Sequence, residues 1–95
     1  MKNALISPNE QAKYISSWTE ENSVFTPVFT VVGERIAEVS NSTFEVAFPL
    51  FWTTCEDNVV ADVYYYDSAT TQILVVPPNV PKPVFDQPVS GAQNL

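Results

Sequence analysis

Apolar and polar residues alternate with a period of two over much of this chain, the pattern of half-buried β-strands. The densest stretch is Val28-Phe29-Thr30-Val31-Val32-Gly33-Glu34-Arg35-Ile36-Ala37-Glu38-Val39. Gly33 at the first centre of a two-residue turn suits type II′, which predicts a hairpin with Val31 opposite Ile36 and Val28 opposite Val39. In Thr43–Ala47, Phe44 and Val46 share one face while Thr43 and Glu45 share the other, so a further strand is expected. Pro49 interrupts the apolar run that ends at Trp52 and marks a bulge or an edge. A strand resumes over 50–54 and stops at Glu56-Asp57-Asn58. Residues 62–66 and 72–76 read as another hairpin, its loop opened by Asp67. The amino terminus supports two readings. Ser7-Pro8-Asn9-Glu10 matches a helix capping box. The β-branched and aromatic residues that follow favour a hairpin of residues 3–6 and 12–18 around a Pro-Asn turn, and that reading is preferred. The expected fold is all-β, a small antiparallel sandwich or barrel built of hairpins.

Composition sharpens this picture. The 95 residues, at 10.6 kDa, allow one small domain, placed at residues 1–76. From Pro77 onward the chain carries five of its eight prolines, so residues 77–95 are expected to form an extended arm. That arm also holds Val80, Val84, Phe85 and Val89, apolar residues suited to docking on a neighbouring chain. Four cations face eleven acids, a net charge of −7, which argues against nucleic acid and against an anionic membrane surface as partners. Histidine is absent and Cys55 stands alone. Imidazole-based catalysis, zinc sites built on His or paired Cys, and intrachain disulfides are thereby excluded. Two glycines cannot build a phosphate-cradling loop. Pro8 arrives too soon for the apolar region of a signal peptide, so the chain is expected in a cytoplasm or in something assembled there.

Few residues carry candidate chemistry. Asp57, Asp62 and Asp67 recur every five positions, a spacing that does not match a calcium loop. Glu56-Asp57 and Glu20-Glu21 are adjacent acids of the kind found in solvated turns. Asn41-Ser42-Thr43 is a glycosylation sequon only in form. Cys55 is expected to be a buried, inert thiol. No catalytic residue, metal ligand or cofactor is expected, and the chain is read as a non-enzyme. Phe48, Phe51, Trp52, Tyr64, Tyr65 and Tyr66 crowd a short stretch. Consecutive strand residues point to opposite faces, so either Tyr65 or the pair Tyr64 and Tyr66 must look outward, unless both faces are covered. Aromatics are enriched at protein contacts. The interface candidates are therefore Trp52, Tyr64, Tyr65, Tyr66, Val80, Val84, Phe85 and Val89.

Four phrases carry a resemblance: Leu5-Ile6-Ser7-Pro8-Asn9-Glu10, Tyr14-Ile15-Ser16-Ser17-Trp18, Phe44-Glu45-Val46-Ala47 through Phe51-Trp52, and Asn58-Val59-Val60-Ala61-Asp62 through Tyr64-Tyr65-Tyr66-Asp67. In these the chain resembles short β-rich proteins of tailed bacteriophages, marine and cyanobacterial phages in particular. The likeness spans most of residues 3–76 and includes no diagnostic motif. It implies a virion accessory role, as a capsid decoration (cement) protein, with the major capsid protein or a tail protein and sister copies as partners. A tail-associated protein and an intracellular module that binds a host protein are the alternatives.

Overall fold

The computed structural model describes residues 1–84. Its strands are β1 (Lys2–Glu21), β2 (Val24–Ser40), β3 (Phe51–Cys55), β4 (Tyr64–Asp67) and β5 (Gln72–Val75). They form one antiparallel sheet in the order β3-β1-β2-β4-β5. The all-β expectation holds, and among the described residues β3 and β5 make no ladder that would close the sheet. The sheet nevertheless curls. The ring of Phe51 on β3 meets that of Tyr66 on β4, edge to face, at 5.6 Å. Inside the curl lies a small core of Ala4, Ile6, Ile36, Cys55 and Val59, against which Tyr64, Tyr66 and Ile73 pack.

The first two strands are long, 20 and 17 residues, where about 5–6 is usual. Their ladder runs from Asn3↔Ser40 to Glu21↔Val24. The reversal lies at Asn22 and Ser23, whose φ angles of 53° and 67° are those a two-residue type I′ turn needs. This corrects the expected turn at Gly33-Glu34. Gly33 is an interior residue of β2, opposite Ala12, and the expected pairs Val31–Ile36 and Val28–Val39 do not form. Gly33 serves a different purpose. A Cβ there would lie 2.5 Å from Cδ2 of Tyr65 and 2.6 Å from the carbonyl oxygen of Tyr66. The missing side chain lets β4 and its Tyr65 ring approach the backbone of β2.

The expected amino-terminal hairpin is also corrected, since β1 is one continuous strand, and the capping-box helix does not form. The Pro-Asn signal acts as a bulge. Register jumps between Ser7↔Arg35 and Gln11↔Glu34, leaving Pro8, Asn9 and Glu10 outside the ladder with β2. Proline cannot donate to a ladder, so the chain swells at this point and continues in the same direction. Arg35 fastens the swelling. Its Nη1 donates to Glu10 at 2.7 Å and its Nε to Asp62 at 2.8 Å, joining the bulge to the β3–β4 connection.

Residues 43–47 form no strand, against expectation. An alternating pattern needs an open edge to pair with, and β3 already occupies the edge of β1 at residues 2–6. Trp52 holds this segment instead. Its indole N–H donates to the carbonyl of Phe44 at 2.8 Å, and the two rings meet edge to face at 5.2 Å. The hairpin at 64–75 forms as expected, within two residues at each end.

Two stability predictions follow from these placements. Gly33→Ala should destabilise by about 1–3 kcal/mol in urea unfolding, because a backbone oxygen stands in the way. Tyr65→Ala in that background should recover only part of the loss. Ser23→Gly should stabilise by about 1 kcal/mol in the same measurement, by relieving a left-handed residue that has a Cβ.

Candidate interaction surface

Beyond residue 11, β1 and β2 continue together with no third strand of the sheet beside them among the described residues, since β3 stops opposite Ile6 and β4 pairs only with Glu34 and Arg35. At about 3.3 Å per residue this ribbon gives the molecule its length, 60 × 26 × 22 Å in extent. The two-residue turn makes Glu21–Val24 a hydrogen-bonded pair, and the alternation of an antiparallel ladder makes Trp18–Pro27 a non-bonded one. The nitrogen of Pro27 therefore faces the open edge of β2, where a missing donor hinders further strand pairing.

Opposed residues share a face, and a bulge at Ser16 resets the alternation between Ile15↔Phe29 and Ser17↔Val28. One face carries Lys13, Ile15, Trp18 and Glu20 from β1 with Phe25, Pro27, Phe29 and Val31 from β2. The other carries Tyr14, Ser16, Ser17, Thr19 and Glu21 with Val24, Thr26, Val28 and Thr30. There the Thr30 hydroxyl donates to Ser16 Oγ at 2.7 Å. The first face is the more apolar: Phe29 is 48% exposed and Val31 50%, while Ile15, Trp18, Phe25 and Pro27 are half-buried. The ammonium of Lys13 rests 4.8 Å from the centre of the Phe29 ring.

The carboxy-terminal segment reaches this ribbon. The Val80 N–H donates to the carbonyl of Ile15 at 2.8 Å, and the Ile15 N–H donates to Asn79 Oδ1 at 2.7 Å. The Trp18 indole donates to the carbonyl of Val80 at 2.8 Å. Residues 79 and 80 thus behave as a rudimentary edge strand along β1 of their own chain. Among the interface candidates, Val80 lies at the ribbon and Val84 is 81% exposed. Phe85 and Val89 lie outside the described residues. Trp52 is engaged with Phe44, Tyr64 and Tyr66 pack on the core, and Tyr65 lies over Gly33. All three tyrosines are half-buried, so neither alternative for an outward-facing tyrosine describes them fully; both sides of β4 are partly covered. The ribbon face was missed because the Gly33 turn reading divided β2 in two. The alternation Phe25, Pro27, Phe29, Val31 was the signal that could have revealed it.

The three regularly spaced aspartates are tied down singly. Asp57 meets the terminal ammonium at 3.2 Å, Asp62 meets Arg35, and Asp67 accepts from the Ala69 N–H at 3.0 Å, so the three do not converge. Burial pushes the Cys55 thiol up, which keeps it protonated and unreactive. A cleft of about 210 Å³ is lined by Cys55 itself together with Met1, Thr53, Glu56, Val59 and Ile73. Hydrogen bonds from Arg35 hold the carboxyls of Asp62 and Glu10 below their ordinary values, and the same contacts raise the guanidinium.

A carboxylate whose folded pKa is depressed stabilises the fold above its unfolded pKa and loses that contribution as pH falls through the folded value. Thermal midpoints should therefore drop on acidification below the ordinary values of 3.8 and 4.5 for Asp62 and Glu10. Arg35→Met should lower the midpoint at pH 7 and flatten this acid dependence. An unchanged acid slope in that variant would show that the clamp does not contribute.

The chain matches no protein-family model, no curated protein and no solved structure, and no helix among its described residues is long and apolar enough to cross a membrane.

Proposed function

We propose that this protein is a non-enzymatic structural component of a tailed-phage virion, a capsid decoration (cement) protein that works by contact. The observation that carries the reading is the pair of half-exposed apolar side chains, Phe29 and Val31, on the β1–β2 ribbon that projects from the small core. A two-stranded ribbon is marginal by itself in water, and covering its apolar face would stabilise it. The segment from Pro77 adds a second contact element, already laid against the ribbon at Asn79 and Val80. We read the curled sheet as an incomplete barrel that serves as the base for this projection. The resemblance in residues 3–76 supports the phage assignment, and the net charge of −7 suits a place outside the shell, away from packaged DNA. The partner in this reading is the major capsid protein, with sister copies beside it, and neither cofactor nor nucleic acid takes part.

Quantitative mass spectrometry of gradient-purified particles tests the assignment. A copy number comparable to that of the major capsid protein is expected. A few copies per particle would move the protein to the tail, and absence from washed particles would leave a host-directed binding module. In the same assay Phe29→Glu should reduce particle association at least tenfold, since it places a charge at the centre of the contact. Truncation after Val80 should weaken association while keeping the contacts of residues 79 and 80 with β1.

A further inference from the structure

We infer that the apolar side of the ribbon is the docking site of the chain's own carboxy-terminal segment, which runs along β1 as an intrachain strap and seats Phe85 against Phe25. The inference concerns the chain alone and stands whether or not the protein belongs to a virion. Its basis is a burial pattern that continues past the last bond made by Val80. At the far end of the ribbon Phe25 and Pro27 are half-buried, while Val24, Thr26 and Val28 on the opposite side are exposed. No further strand of the sheet lies beside that end among the described residues. Ile15 and Trp18, on the same side as Phe25, are half-buried as well, and Asn79 and Val80 are bonded to them.

The path of the segment leads on to Phe25. Val76 lines a cleft with Gln11, Ala12 and Lys13, the Val80 N–H donates to Ile15, and the Val80 carbonyl accepts from Trp18. The chain therefore travels in the direction of β1, toward the turn at Asn22-Ser23. Pro81 and Pro83 favour an extended course at about 3.1 Å per residue, which carries the five residues from Val80 to Phe85 over roughly 15 Å. Phe29, opposite Ile15, lies four strand positions from Phe25, or about 13 Å at ~3.3 Å each. Phe85 thus arrives level with Phe25. Val84 is 81% exposed, and successive side chains of an extended chain diverge, which turns Phe85 back toward the ribbon. Two phenyl rings meeting there stabilise each other beyond the area they cover. The strap sorts the arm into two parts, with Phe85 as its anchor on its own chain and Val84 presented outward. It also guards the edge of β1 beyond β3, so a strand from another chain pairs there only after the strap lifts.

Hydrogen exchange of the full chain by NMR reads the strap at the Val80 amide and the Trp18 indole N–H. Phe85→Ser should speed exchange at both about tenfold, and Phe25→Ser should do the same. The double variant should exchange no faster than the faster single one, because both substitutions remove one contact. Val84→Ser should stay within about twofold of the starting chain. Ring-proton cross-peaks between Phe85 and Phe25 are expected in the unsubstituted protein. Circular dichroism of each variant checks the fold, and Phe85→Ser keeps the test independent of any damage that Phe25→Ser does to the ribbon. An effect of Phe85→Ser no larger than that of Val84→Ser overturns the inference, as do additive effects in the double variant. Protection that rises with protein concentration also overturns it, by placing the segment on a second copy.

Discussion

The ladder between β1 and β2 is the constraint on which everything else in this protein rests. β3 hangs on residues 2–6 of β1, β4 on Glu34 and Arg35 of β2, and β5 on β4 alone. The buried core gathers at the base of that ladder, with Ala4 and Ile6 from one strand and Ile36 from the other. Such a core is small for a chain of this length, and backbone pairing over two long strands must contribute much of the structure's order. The bulges are part of this arrangement. Each adds twist and bends the pair, and the curl they produce accompanies the approach of Phe51 to Tyr66 across the inner face.

The far half of the ribbon poses the opposite problem. Among the described residues it has two edges and an apolar face but no further strand of the sheet beside it, a state that proteins protect in recognisable ways. Here Pro27 removes a donor from one edge, while Asn79 and Val80 cover part of the other. Part of the apolar face is half-buried, at Ile15, Trp18, Phe25 and Pro27. Phe29 and Val31 remain half exposed, with Lys13 draped over the phenyl ring, and these two side chains beside guarded edges motivate reading the ribbon as a contact surface. The chemistry of the remaining surface points the same way: Asp57, Asp62 and Glu10 are ion-paired, and the thiol is buried.

Legibility in the sequence varied with the range of the interaction involved. The hairpin at 64–75 and the strand at 51–55 were readable because turn and strand signals lie next to each other in the chain. The turn at Asn22-Ser23 was not, since Asn-Ser is a weaker signal than a glycine pair and Gly33 offered a stronger competitor. Pro8-Asn9 and Gly33 were read as turns and neither is one, because their meaning depended on partners far away. Pro8 became a bulge because Arg35 and Gln11 restore the ladder around it, and Gly33 became a seat because Tyr65 lands on it. Residues 43–47 carried an honest strand pattern and found no edge to join.

From the sequence alone came the strand class, through its β-branched and aromatic residues, and the exclusion of imidazole and paired-thiol chemistry, through the residues it lacks. The change of character at Pro77 was also local and visible. Tertiary structure alone decided which edges are open, which tyrosines are covered, and that Trp18 and Val80 meet across 62 positions of chain. The reason is physical: composition and alternation act between neighbours, whereas exposure of a strand face depends on whether some distant segment arrives to cover it.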